Sequence, residues 1–273
     1  MNKKYFFRLI AAAWMAAASF SSCEDIIDVD LHSVEPQLVI EGTIRMGAAA
    51  EVLITKTNDF DAPNKYPPIT DAVVTISDGM GTPETLVCNA EGRYMTTTIV
   101  GAERTTYQLT VRYEGAEYTA TSYMPPRVTI DSLTVWKMPI MDYAIPQVHF
   151  VDPLGEENEY YRFVLHKNDA EPTADDRLED RIMSTEFVDG DVIRQPLFVR
   201  FVSDGRDDDP VAQGDKITVE MQCIDKGVYT FLHTLNNVDH GLANPTSNIK
   251  GGALGYFGAY SFTSADVVMR WEE

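Results

Sequence analysis

Cysteine is scarce here: Cys23, Cys88 and Cys223 are all that a chain of 273 residues contains. None forms a CxxC pair or a Cys/His cluster, so a metal or dithiol redox site has no support. Cys88 and Cys223 lie far apart on strand-like runs and read as buried free thiols, small groups that pack well. Positive charge is thin as well. Lys plus Arg number 22 against 42 Asp plus Glu, a formal charge of -20 with a pI near 4.5. A surface that acidic repels phosphate backbones, so nucleic acid is excluded as an expected partner. There is no HExxH, no GxSxG elbow and no P-loop lysine, which removes the zincin, serine-hydrolase and nucleotide-binding signatures. No acid pair is singled out for glycoside cleavage. The chain reads as a non-enzyme with no cofactor. Long-period repeats and low-complexity linkers are also missing, while 44% hydrophobic and 10% aromatic residues suit a folded chain.

The first 22 residues read as an export signal. Lys3, Lys4 and Arg8 precede an alanine-rich apolar stretch, Leu9 to Phe20, too short for a comfortable membrane span. Phe20-Ser21-Ser22-Cys23 resembles a bacterial lipobox, with Phe20 in place of the usual aliphatic residue. That resemblance implies cleavage before Cys23 and acylation of Cys23, several chains on one residue giving firm anchoring. Losing the signal leaves 19 basic against 42 acidic residues, a charge of -23. Residues 23–36 form an acidic tether, and Cys23-Glu24-Asp25-Ile26-Ile27-Asp28 resembles the surface-export signal of Bacteroidetes lipoproteins.

Beyond the tether, alternation of period two dominates. Tyr107, Leu109, Val111 and Tyr113 share one face and Gln108, Thr110 and Arg112 the other, the pattern of a half-buried strand. Similar runs occupy Leu38–Ile44, Glu51–Thr57, Ala72–Ser77, Thr85–Cys88, Arg93–Ile99 and Glu117–Tyr123, with glycine turns between them. Pro125-Pro126 ends this series, since neither residue can donate to a ladder. A second series covers Ile130–Trp136, Gln147–Phe150, Tyr160–His166, Val192–Val202, Lys216–Ile224 and a last strand through Tyr260 to Trp271. Lys167–Glu179 and Asp204–Pro210 read as excursions. Val228, Phe231, Leu232, Leu235 and Val238 recur at helical spacing, predicting a helix over 226–238. The expected fold is mainly β: an antiparallel sandwich, immunoglobulin- or transthyretin-like, over 37–125, then a second β-rich domain with one helix over 126–273.

Three clusters carry potential chemistry. Asp204, Asp207 and Asp209, near Asp215, either gather oxygen ligands for a cation or form a solvated loop; the EF-hand spacing is missing. Gly251, Gly252, Gly255 and Gly258 interleave with Tyr256, Phe257 and Tyr260. Those aromatics either make a platform for a sugar or planar ligand or fill a core above closely approaching backbone. His233 and His240 stand seven residues apart on or near the helix.

Several ordered pieces carry a family resemblance. Leu38-Val39-Ile40-Glu41-Gly42, Ile69-Thr70-Asp71-Ala72-Val73-Val74-Thr75-Ile76, Gly92-Arg93-Tyr94 and Asn248-Ile249-Lys250-Gly251-Gly252-Ala253-Leu254-Gly255-Tyr256-Phe257 stand in sequence. Together they resemble the Bacteroidetes outer-membrane lipoproteins grouped as domain-of-unknown-function family 4249, with Ala253 as an extra residue in the glycine-rich motif. The resemblance implies an outer-membrane, lipid-anchored, surface-exposed protein working beside a TonB-dependent transporter. The expected role is a non-catalytic accessory that captures an unidentified nutrient. The alternative is a structural or adhesive lipoprotein of the fimbrial kind, which needs an exposed strand edge. Asp131-Ser132-Leu133 resembles a Bacteroidetes O-glycosylation sequon.

Overall fold

Period-two burial runs along the long strands of the computed structural model. It describes residues 35–58, 65–137, 144–155, 160–170, 181–188, 190–198, 211–235 and 244–272, and backbone alone at 201–203 and 206–209. Strand β1 (Leu38–Arg45) buries Leu38, Ile40 and Ile44 and turns Glu41 and Arg45 outward. Strand β2 (Ala49–Lys56) buries Ala50, Val52 and Ile54 in the same way. Next come β3 (Val73–Ser77), β4 (Glu84–Thr85), β5 (Val87–Cys88), β6 (Arg93–Val100), β7 (Thr105–Tyr113) and β8 (Ala116–Met124). A four-stranded sheet, β4-β3-β7-β8, packs on the sheet that holds β1, β2 and β6. Between them lies a core of Ile40, Ile54, Ile76, Tyr107, Leu109 and Val111, each at most 1% exposed. Every such side chain contributes about 1.5–3 kcal/mol of burial.

The later chain repeats the plan. Strands β9 (Ser132–Lys137), β10 (Ala144–Val151) and β13 (Val192–Pro196) form a three-stranded sheet in the order β13-β10-β9. It faces β11 (Tyr160–Lys167) and β16 (Lys216–Cys223) across a second core that includes Val148, Phe150, Tyr161, Phe163, Val219 and Met221. Inside it, Tyr161 and Thr185 both donate hydrogen bonds to Oδ1 of the buried Asp152, at 2.8 and 3.0 Å. Strand β12 (Arg181–Ser184) borders β11, and β14 (Phe201–Ser203) pairs with β15 (Arg206–Asp209). Helix α1 (Lys226–Leu235) and the fifteen-residue β17 (Leu254–Val268) complete the chain.

One sheet joins the two cores. Its order is β12-β11-β16-β17-β1-β2-β6-β5. Residues 254–260 of β17 run parallel to β1, and residues 261–268 run antiparallel to β16. The sheet therefore crosses the Pro125-Pro126 turn, and Pro36–Glu273 makes one compact unit. Ile249, Ala253, Phe257 and Ala259 belong to the first core although they arrive last in sequence.

Some local expectations change. Val192–Val202 is two strands, because Pro196 at the end of β13 cannot donate to a continuing ladder. Residues 206–209, expected in an excursion, pair with β14, while Lys167–Glu179 holds positive φ at Asn168 and Asp169 where it leaves β11. The helix spans 226–235, and 236–238 lie outside the described residues.

Candidate functional site

The four-stranded and three-stranded sheets cover the same face of the long sheet. Along β17 the odd residues Phe257 and Ala259 enter the first core and Val267 packs on the second. The even residues Leu254, Tyr256 and Tyr260 point the other way, into a cleft of about 890 Å³. Its floor comes from five neighbouring strands, through Glu41 and Thr43 of β1, Leu53 of β2, Val164 of β11 and Gln222 of β16. Phe231, Leu232 and Leu235 of α1, with Pro245, form an apolar wall.

Glycine makes the β1–β17 seam possible. At Gly255, φ is +90° and a Cβ would stand 2.1 Å from the Ile40 carbonyl oxygen, a place no other side chain fits. At Gly258 a Cβ would meet Val228 of α1 at 2.8 Å, so the missing side chain lets the helix seat on the strand. The loop before β17 supplies the pairing that the strand lacks there. Asn248 donates from Nδ2 to the Phe257 carbonyl at 2.7 Å and accepts from its N–H at 3.0 Å. Ser247 donates to the Gly255 carbonyl at 2.7 Å.

Asp225 fixes the helix. Its Oδ1 accepts the Val228 N–H at 2.8 Å, an N-cap, while Oδ2 accepts from Tyr123 N–H at 3.0 Å and from the Ser122 hydroxyl. Ser122 Oγ in turn accepts the Ala259 N–H at 2.8 Å. One carboxylate thus ties α1 to β8 and, through Ser122, to β17. Burial pushes the Asp225 carboxyl up, against the pull of these hydrogen bonds. The helix then buries Val228, Phe231 and Leu232 against Tyr160, Ile224, Tyr256 and Tyr260.

The polar lining is balanced in charge. Arg45, Arg93 and Arg162 meet Glu41, Glu51 and Glu220. Arg45 reaches across β17 to Glu220 at 2.9 Å, with its guanidinium 3.8 Å above the Phe262 ring. Arg93 pairs with Glu51. Gln222 donates from Nε2 to Glu220 Oε1 at 2.7 Å. Its Oε1 has no hydrogen-bond partner among the described residues, although the side chain is only 4% exposed. Burial, with the Glu220 charge adding, pushes the Tyr260 phenol up to about 12, so it stays a donor at neutral pH. The Tyr256 ring stacks on Phe231 with centroids 4.8 Å apart. Fixed donors, acceptors and aromatic faces on a rigid floor suit reversible recognition of a polar ligand.

The sequence-predicted residues are distributed unevenly about this cleft. Tyr256 and Tyr260 line it. Phe257 does not: it is fully buried on the opposite face, because one step along a strand reverses the side-chain direction. Of the acidic loop, Asp204 lies outside the described residues and Asp207 and Asp209 are on the backbone of β15. Among the described residues no three His, Cys, Asp or Glu side chains gather for a metal. Cys23 and His240 also lie outside the described residues, and His233 stacks on Tyr229 at 5.7 Å. Cys223 is buried, but Cys88 is half-buried at a two-residue strand; both are free thiols. Ser132 is exposed at the start of β9. Sequence reasoning missed the arginines, the glutamates and Gln222. Their signal is the polar half of the alternation in β1, β11 and β16, and it becomes a site only when those strands are neighbours.

No helix among the described residues is long and apolar enough to cross a membrane. No curated protein matches the chain. A family model described as Domain of unknown function (DUF4249) matches residues 24–266. The match spans nearly the whole chain, ending within β17, and the protein belongs to that family.

Proposed function

We propose that the protein is a lipid-anchored, non-catalytic capture subunit of the outer-membrane surface that works beside a TonB-dependent transporter. The observation that carries the binding role is the cleft of about 890 Å³ on the open face of the long sheet. Its charge-balanced floor and aromatic wall offer many directional contacts to a polar ligand. Tyr256, Tyr260, Gln222 and the Arg45–Glu220 pair are the groups placed to hold it. The site is built largely on strands and one capped helix, so its geometry is preorganised and little ordering is required on binding.

Anchoring rests on the lipobox-like Phe20-Ser21-Ser22-Cys23 and the acidic residues after it. The transporter partner rests on the resemblance to outer-membrane lipoproteins that accompany such barrels. An acyl anchor at Cys23 confines the protein to the membrane plane and raises its effective concentration beside the barrel. The mechanism is binding and handover, with no bond made or broken.

Mild-detergent purification of the tagged full-length protein from outer membranes, followed by mass spectrometry, tests this reading. Recovery of a stoichiometric TonB-dependent barrel is expected. Recovery of the protein alone, or of a ladder of its own oligomers, contradicts it and favours the adhesive role.

A further inference from the structure

The chemistry of the cleft narrows the class of its occupant. We infer that the cleft binds a neutral, polyhydroxylated ligand, an oligosaccharide; the inference rests on the capture reading above and specifies its ligand.

Charge is the first argument. The chain carries a formal charge of -20, yet three arginines and three glutamates line the cleft. A lining so balanced gives a fully anionic or fully cationic ligand no net attraction. Two of the pairs are already closed, Arg45 with Glu220 and Arg93 with Glu51. Each partner holds the other in a fixed plane and keeps N–H groups or lone pairs to spare. Such groups suit hydroxyls, which donate and accept at once.

Gln222 is the second argument. Its amide orientation is set by Glu220, which takes the Nε2 proton at 2.7 Å. The other end of the amide, Oε1, is an acceptor with no partner among the described residues, in a side chain 4% exposed. A small recess of about 10 Å³ is lined by Thr43, Arg162, Gln222, Tyr256 and Tyr260. An acceptor stranded in this way is costly until a donor reaches it. A hydroxyl supplies that donor. An ionised carboxylate or a phosphodiester has only acceptors to offer that oxygen.

The shape of the floor is the third argument. An extended peptide commonly binds along an unpaired strand edge, where its main chain continues the ladder. The floor here is the face of β2, β1, β17 and β16, and β1 and β2 have strand neighbours on both sides. On residues 254–260 of β17 the side away from β1 is taken by Ser247, Asn248 and Ser122, which bond the backbone of Gly255, Phe257 and Ala259. What it presents is side chains, among them the rings of Tyr256 and Tyr260, against which the C–H face of a sugar ring rests. The volume of about 890 Å³ is room for a few sugar rings, within the roughly 300–1,000 Å³ of small-molecule sites.

The test uses the full chain in detergent. Glycan-array screening followed by calorimetry would offer neutral oligosaccharides of glucan, mannan, galactan and xylan, with oligogalacturonate and a tryptic casein digest as competitors. The expected result is saturable binding of at least one neutral series. Gln222→Leu and Glu41→Ala should each weaken that binding by about tenfold. Gln222→Leu removes a stranded buried oxygen, so it should still melt cooperatively; Glu41 is exposed, so Glu41→Ala tests the cleft without touching a core. Binding of oligogalacturonate or casein peptides alone, binding of no neutral series, or equal binding by wild type and both variants would overturn the inference. If the transporter co-purifies while every neutral series fails, the capture reading stands and only the ligand class falls.

Discussion

Glu84 shows how one side chain closes the first sandwich. Its carboxylate accepts the N–H groups of Thr97, Thr98 and Ile99, at 2.5, 3.1 and 2.7 Å, and both threonine hydroxyls at 2.7 Å. Burial opposes ionisation, but these hydrogen bonds outweigh it and hold the carboxyl at about 2, below its ordinary 4.5. Because the folded state depresses this pKa, its contribution is full above pH 4.5 and is lost as pH falls towards 2. Denaturant titrations at pH 7, 4 and 3 should show wild type losing stability across that window. Glu84→Gln should be weaker at pH 7 and have a flatter acid limb; parallel curves for the two proteins would contradict the account. Asp225 is the second such residue. Asp225→Ala removes an N-cap and takes an acceptor from the Tyr123 N–H and the Ser122 hydroxyl, and should cost about 2–4 kcal/mol in chemical denaturation. A loss under about 0.5 kcal/mol would show that the cap is dispensable. The helix start is visible in the sequence, from the spacing of Val228, Phe231 and Leu232. The reach of Asp225 to β8 is not, because it depends on a contact about a hundred residues away in the chain.

At the scale of elements, β17 carries the architecture. Its first half pairs with β1 and its second with β16, so its register sets both cores. Gly255→Ala forces a Cβ to within 2.1 Å of the Ile40 carbonyl at a φ of +90°. That substitution should cost at least about 3 kcal/mol, read as a shift in urea midpoint with an unchanged slope. A loss below about 1 kcal/mol would mean that the seam is looser than described. The strands themselves were legible, since alternation reports which side of a strand is buried. Their neighbours were not, since alternation is silent about pairing. The parallel partnership of Val39 with Leu254 therefore has no local signature. Val192–Val202 misled for a related reason: its residues are β-prone throughout, and only Pro196 interrupts the run.

Across the whole molecule, the continuous sheet makes the two cores interdependent. Calorimetry should show a single unfolding transition, and two resolved transitions would contradict a shared β17. For the same reason residues 37–125 alone should fail to fold, because Ile249, Phe257 and Ala259 would be missing from the first core. The candidate site was partly legible. The interleaved glycine and aromatic residues marked Tyr256 and Tyr260, and odd and even residues of β17 face opposite ways, Phe257 into the core and Tyr256 and Tyr260 into the cleft. The polar floor was hidden, since Glu41, Arg162 and Gln222 lie on strands that meet only in the folded sheet. The central claim is that this open face is the capture surface. A photo-crosslinking amino acid placed at Glu41 in the cleft, and separately at Met80 on an exposed turn, tests it in the cells that make the protein. Irradiation should give a mass adduct at position 41 and none at position 80. Equal adducts at both positions, or one at position 80 alone, would contradict the account.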